Sequence, residues 1–216
     1  MIILASASPR RRELLRLLGL KFSATRTDID ETPRIGETPA DYVRRMSREK
    51  AAAAAARLDG PALILAVDTT VVDGEQILGK PANAAEARAI LRQLRGRAHQ
   101  VYSALTLLDT ATGHEVTQVA ISPVRMREYA NEEIEAYIAS GDPFDKAGAY
   151  AIQNSTFHPV EGFDHCMANV MGLPLCHVAR ALVSLGEPPP ADVARACQAH
   201  IGYECPVYAR ILAGGE

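Results

Sequence analysis

Two hydrophobic periods alternate along this chain, and together they predict its elements. Ile2–Ala5 is a short apolar run that suits a buried strand. Ser8 then offers an N-cap and Pro9 a first helical residue. Leu14, Leu15, Leu17 and Leu18 form a stripe, and Gly19 supplies the stop. Lys21–Thr25 reads as a second strand. The next helix runs from Thr38-Pro39 through Ala56, with Tyr42, Val43 and Met46 as its buried stripe and an alanine run of high helix propensity. Continuing that stripe lands on Lys50, which either snorkels outward or is aimed at something anionic in a cleft.

Gly60-Pro61 interrupts the chain before Ala62–Val67, a continuous apolar run of the kind found in strands buried on both faces. It leads into Asp68-Thr69-Thr70. Val71–Leu78, with Asp73-Gly74 inside it, reads as a hairpin. Turning at Asp73-Gly74 sets Gly79 opposite Asp68, and turning at Gly74-Glu75 sets Lys80 opposite Thr69. In both registers Lys80 is expected to return beside Asp68.

Ala84–Leu94 has the spacing of an amphipathic helix ended by Gly96. His99–Asp109 reads as a long strand and Glu115–Glu128 as its return, with Pro123 marking an edge or bulge. Asn131 is placed to cap a helix that stops at Gly141. Asp142–Gln153 combines a charged pair, a glycine for close backbone approach and a strand closing on Gln153. The segment from Asn154 to Met171 reads as irregular and Cys176–Leu185 as a helix. Gly186–Pro190 reads as a stiff linker to a tail helix beginning after Ala191. Strands alternating with helices in this order predict an α/β fold.

Composition narrows the partners. The 216 residues are 48% apolar and 23% charged, ordinary for a globular domain with a sizeable core. A net charge of -3 argues against a nucleic-acid polymer as main partner, whereas a single nucleotide needs only a local basic pocket. No apolar run approaches the ~20 residues of a membrane span, so no membrane association is expected. The chain opens directly on a strand without a secretion-signal pattern. A cytoplasmic location is therefore expected, with Cys166, Cys176, Cys197 and Cys205 as reduced thiols. Cys197, His200 and Cys205 could ligate zinc with Cys176 or His177, but they lack the paired C-x2-C spacing of structural zinc sites.

Four stretches carry candidate chemistry. Ser6, Ser8, Arg10 and Arg11 surround the start of the first helix, with Arg12 beyond them. Free N–H groups and the dipole attract anions there, while cations in the first turn are unfavourable for the helix itself. The arrangement makes sense if an external polyanion, most simply a phosphate chain, supplies the missing charge; otherwise it is a solvated basic turn. Asp28, Asp30 and Glu31 suit a loop holding a divalent cation through hard oxygens, or an acidic solvated loop. Asp68 stands at a strand end, where α/β folds place ligands. With Lys80 it reads either as a structural ion pair or as a phosphate-and-metal site. Gln153 offers an amide that can donate and accept at once, as reading a base edge requires.

Five segments in order are Ser6–Arg11, Glu49-Lys50-Ala51, Ala66–Thr69, Gly79-Lys80-Pro81 and Asp145–Gln153. Together they resemble the Maf (septum formation inhibitor-like) nucleoside triphosphate pyrophosphatases, from about residue 1 to residue 186. The resemblance implies an α/β fold with a mixed sheet, flanking helices and two lobes around a cleft, like that of the inosine triphosphate pyrophosphatases. It implies a domain over 1–186, followed at 187–216 by a Pro-rich linker and tail helix outside the family pattern. It also implies hydrolysis of a nucleoside triphosphate to the monophosphate and pyrophosphate with Mg²⁺ or Mn²⁺, and allows a homodimer. Carried over, Asp68 is the catalytic proton acceptor and Glu31 and Asp68 hold the metal. Ser6, Ser8, Arg10, Arg11, Lys50 and Lys80 bind substrate, and Arg11, Thr69 and Gln153 set specificity. Asp-Thr and Ile-Gln at these places imply a pyrimidine substrate, dTTP or UTP. After Gln153 the family's glycine-rich continuation is replaced by Asn154–Pro159. The alternatives are a nucleotidyltransferase, whose phosphate loop is usually glycine-rich, unlike this one, and a non-catalytic nucleotide sensor regulating division.

Overall fold

The computed structural model describes residues 1–215. Its centre is strand β3 (Leu63–Asp73), where Ile64–Asp68 are all buried. β1 (Ile2–Ala5) runs parallel to β3, and β2 (Phe22–Thr25) runs parallel to β1 on its outer side. On the other side β5 (Ala98–Asp109) is antiparallel to β3, and β6 (Glu115–Arg125) is antiparallel to β5. The sheet is therefore mixed, in the order β2-β1-β3-β5-β6, with β4 (Gln76–Leu78) hairpinned onto β3. Pro123 lies in the edge strand β6, where a missing ladder donor is tolerated.

Strand alternation decides which side chains of β3 meet which helices. Ile64 and Ala66 pack against Ala51 and Ala54 of α2 (Pro39–Ala55). Leu65 and Val67 pack into the largest core, with Leu14, Leu15 and Leu18 of α1 (Pro9–Arg16) and its C-terminal end, and with Val178 and Leu182. The same period carries Asp68 to the α2 face and Thr69 to the α1 face. A second packing centre forms at the far end of the sheet. There α3 (Ala84–Leu94) and α4 (Asn131–Ala139) contribute Leu91, Leu94, Ile134 and Tyr137, and Val71, Tyr150 and Phe157 join them. The open ground between the two centres is a cavity.

The hairpin turns on Gly74-Glu75, pairing Val71 with Leu78 and Asp73 with Gln76. Three expectations are corrected. Asn131 is the first residue inside α4; Ala130 is the N-cap, and Glu133 accepts its N–H at 2.8 Å. Residues 149–153 form no strand. Two short 3₁₀ turns, Asp142–Asp145 and Ala147–Ala149, lead into irregular chain, with Gly148 at φ +70° and Ala149 at +59°. A Cβ at Gly148 would fall 2.7 Å from Val71 Cγ2, so only glycine lets this turn close on β3. Finally, α5 (Met167–Val170) interrupts the stretch read as irregular before α6 (Leu175–Ser184).

After the prolines come α7 (Val193–Ile201) and α8 (Tyr208–Leu212), the latter unforeseen from sequence. Val193, Val207 and Ile211 are buried in the core shared with α1 and α6. Arg180 donates to the Ile211 carbonyl at 3.0 Å. No helix among the described residues is long and apolar enough to cross a membrane.

Candidate active site

β1 ends at Ala5 while β3 continues to Asp73, and the chain leaves β1 across the top of the sheet. That divergence opens a cavity of about 640 Å³ beyond the carboxyl end of β1, where open α/β sheets bind ligands. Ser6, Ser8, Arg10, Arg11, Glu31, Lys50, Thr69, Lys80 and Gln153 all line it. The structure thus brings together every sequence-predicted site residue except Asp68, which sits one layer behind Lys50.

The first wall is the start of α1. Ser8 is its N-cap, accepting the Arg11 N–H at 3.4 Å, and Ser6 Oγ accepts the Ser8 N–H at 3.2 Å. Both hydroxyls keep an O–H to donate into the cavity. Arg10 reaches across the opening to Asp145 Oδ2 at 3.2 Å. Arg11 turns inward. Its Nε donates to the Gly172 carbonyl at 2.8 Å, Nη1 to the Val67 carbonyl at 2.8 Å and Nη2 to Thr69 Oγ1 at 3.1 Å. Thr69 Oγ1 also shares a hydrogen bond with Ser103 Oγ at 2.8 Å. Arg11 therefore ties α1, β3 and the Gly172 loop into one unit. Burial lowers the pKa of its guanidinium, and the charge of Asp68 opposes that shift.

The second wall is built on charge. Lys50, 8% exposed, is not snorkelling outward. Its Nζ lies 2.6 Å from Asp68 Oδ1 and 2.7 Å from Glu31 Oε1. The lysine on Asp68 is therefore Lys50 of α2, not Lys80. Lys80 follows the paired part of the hairpin and stands exposed at the rim, where its charge still acts on Glu31. Burial raises the Glu31 carboxyl, but the Lys50 hydrogen bond and the charges of Lys50, Lys80 and Arg11 outweigh it and leave it below its ordinary value.

The acidic loop separates. Asp28 pairs with Arg26 at 3.7 Å, and Asp30 accepts the Thr32 N–H at 2.9 Å; only Glu31 joins Lys50. Among the described residues no group of three or more His, Cys, Asp or Glu is arranged to hold a metal. Two carboxylates remain a workable donor set, because Mg²⁺ is commonly bound through one or two carboxylates with substrate phosphates and waters completing its shell. Lys50 Nζ between Glu31 and Asp68 shows that the space between these oxygens accommodates a cation. The zinc reading does not hold among the described residues. His200 faces Glu13 at 3.3 Å, and the four cysteines are free thiols around a small apolar hollow. Burial pushes the Cys176 and Cys197 thiols up, to about 12 and about 11.

The third wall shows what sequence reading left without a role. Lys146 is buried, with Nζ 2.7 Å from Asp142 Oδ1 and 2.6 Å from Asp145 Oδ1. Tyr150 lines the cavity and shares a hydrogen bond with buried His99 Nε2 at 2.7 Å. The Asp142–Lys146 spacing was a visible signal; the His99–Tyr150 pair, 51 residues apart, was not. Gln153 stands exposed at the rim, and its carboxamide bonds to no other described residue.

Comparison with known proteins covers this whole assembly. A dTTP/UTP pyrophosphatase of Myxococcus xanthus is 47% identical over 190 residues, spanning 88% of this chain and 95% of its own length. Proteins of the same name from Syntrophus aciditrophicus and Methylococcus capsulatus are 45% and 46% identical, each over 86% of this chain. Among solved structures, a nucleoside-triphosphatase described as a dITP/XTP pyrophosphatase, from Mycobacterium abscessus, aligns with a TM-score of 0.41 at 17% identity, covering 85% of this chain and 96% of its own. The family described as Maf-like protein matches residues 1–185, a span that contains every cavity-lining residue and excludes the α7–α8 tail. The chain that builds this cation-lined cavity over a mixed sheet belongs to the Maf-like protein family.

Proposed function

We propose that this chain hydrolyses a nucleoside triphosphate, dTTP or UTP by analogy with its relatives, to the monophosphate and pyrophosphate. The observation that carries the reading is the lining of one cavity. Arg10, Arg11, Lys50, Lys80 and Lys146 converge there with Glu31, and Asp68 stands directly behind. Such a surplus of cations matches a triphosphate, whose charge has to be neutralised before water can attack phosphorus.

The residues divide the work. Arg10 exchanges Asp145 for a phosphate, and Lys80 closes over it from the rim. Ser6 and Ser8 donate their hydroxyl protons to phosphate oxygens beside the N-terminus of α1. Arg11 orients rather than grips, because its guanidinium is already spent on Gly172, Val67 and Thr69. Glu31 and Asp68 would hold Mg²⁺ or Mn²⁺, which when bound neutralises phosphate charge and acidifies water. Asp68 takes the proton of the attacking water, provided Lys50 yields its carboxylate to that water. Gln153, exposed at the rim, reads the base edge. A homodimer acting in the cytoplasm completes the proposal.

A panel of nucleoside triphosphates incubated with Mg²⁺ and no acceptor tests it. Pyrophosphate is expected from dTTP and UTP above all others. A requirement for a second substrate would indicate a transferase, and binding without turnover a sensor.

A further inference from the structure

Gln153 is held at both of its flanks by one carboxylate. Asp142 Oδ2 accepts the Tyr137 O–H at 2.7 Å and an Asn154 Nδ2–H at 3.1 Å. The Tyr137 oxygen in turn accepts the Ala151 N–H at 3.0 Å. Ala151 precedes the Ile152-Gln153 pair and Asn154 follows it, so both ends of that pair lead back to Asp142. The Asn154 N–H also closes onto the Ala151 carbonyl at 3.1 Å.

The anchor itself is firm. Lys146, buried, fixes the other carboxylate oxygen at 2.7 Å and the Asp142 carbonyl at 2.6 Å. Asn154 Oδ1 accepts the N–H groups of Thr156 and Phe157 at 3.1 and 2.7 Å, and Phe157 stacks on Tyr137 with ring centroids 4.3 Å apart. Burial raises the Asp142 carboxyl, yet the hydrogen bonds from Lys146, Tyr137 and Asn154 leave it below its ordinary value, so it stays an acceptor. The network meets the cavity cations at two points: Lys146 lines the cavity itself, and Asp145, which Lys146 also binds, pairs with Arg10.

We infer that Asp142 and Asn154 are positioning residues for base selection, acting through the backbone of Gln153. The inference rests on the reading of Gln153 as the base contact. Its logic is one of preorganisation. A carboxamide on a loose loop follows whichever base enters and binds each at the entropic cost of ordering the loop. A carboxamide on a clamped backbone stays at one distance from the rest of the cavity, so it favours the base whose edge reaches that distance.

The test compares kcat and KM for UTP and for GTP in wild type, Asn154→Asp and Asp142→Asn, with Mg²⁺ present. Asn154→Asp sets two carboxylates against each other. It is expected to lower the UTP-over-GTP ratio of kcat/KM by about tenfold, the scale of one lost ordered hydrogen bond, through KM with kcat for UTP within about twofold. Asp142→Asn is expected to lower the ratio too. A structural role alone would move the melting temperature and not this ratio. A wild-type ratio in Asn154→Asp or in Asp142→Asn overturns the inference while leaving hydrolysis intact. If wild type releases pyrophosphate from no triphosphate, the reading of Gln153 fails and the inference falls with it.

Discussion

Lys50 Nζ stands 2.6 Å from Asp68 Oδ1, and both side chains are about nine-tenths buried. The ammonium supplies the counter-charge that burying this carboxylate requires. Asp68→Asn leaves an oxygen for Lys50 to donate to, so the fold should survive. Turnover is expected to drop at least ~100-fold, the usual contribution of a positioned base. Steady-state kinetics beside a circular dichroism spectrum check this, and near-normal kcat in a folded variant removes Asp68 from the chemistry.

Taking away the cation should cost more stability than taking away the charge it binds. Lys50→Met leaves Asp68 buried and unpaired with Glu31 nearby. Removing one partner of a buried pair costs about 3 kcal/mol, measured as a shift in urea midpoint at constant slope.

Arg11→Lys tests whether this arginine orients or grips. An ammonium cannot reproduce a planar fork that serves Gly172, Val67 and Thr69 at once. The loss of at least one buried hydrogen bond is expected to cost about 1–3 kcal/mol of stability. Base selectivity should loosen, because Thr69 loses its donor. Unchanged stability with a large rise in KM would instead make Arg11 a direct phosphate ligand.

Two buried histidines set the response to acid. Burial lowers His99 and His177 from the ordinary value to about 4. Between about 6.5 and 4 the unfolded chain binds protons that the folded chain refuses, so stability is complete above that window and is lost as pH falls through it. Thermal melts from pH 7 to pH 4 should show a steady decline. His177→Leu should make that decline shallower.

The tail should support the fold without entering the site. Ile211 is 4% exposed in the core shared with α1 and α6, and no residue after Gly172 lines the cavity. Ile211→Ala is expected to cost about 3 kcal/mol, which lowers Tm by roughly 6–12 °C at about 2–4 °C per kcal/mol for a chain of this size. The KM for the nucleotide should not change, and a changed KM would place the tail in the site.

The elements around the site were legible in the residues because their signals are local. Ser8 and Pro9 start α1 wherever it lies, the apolar run Ile64–Val67 is a central strand, and the stripe of α2 reaches Lys50 by helical spacing alone. Alternation along β3 also separates Asp68 from Thr69 without reference to any other element. What only the tertiary structure decided were pairings between distant segments. Whether Lys50 or Lys80 meets Asp68 depends on where α2 crosses β3. That Glu31 of the acidic loop, and neither Asp28 nor Asp30, meets Lys50 depends on competing partners at Arg26 and Thr32. That residues 149–153 turn rather than extend depends on Gly148 closing against Val71, and the burial of α7 and α8 depends on a surface that α1 and α6 create jointly. Backbone preference is set within a few residues, whereas the partner of a charge or an apolar face is set by chain crossings that no short stretch encodes.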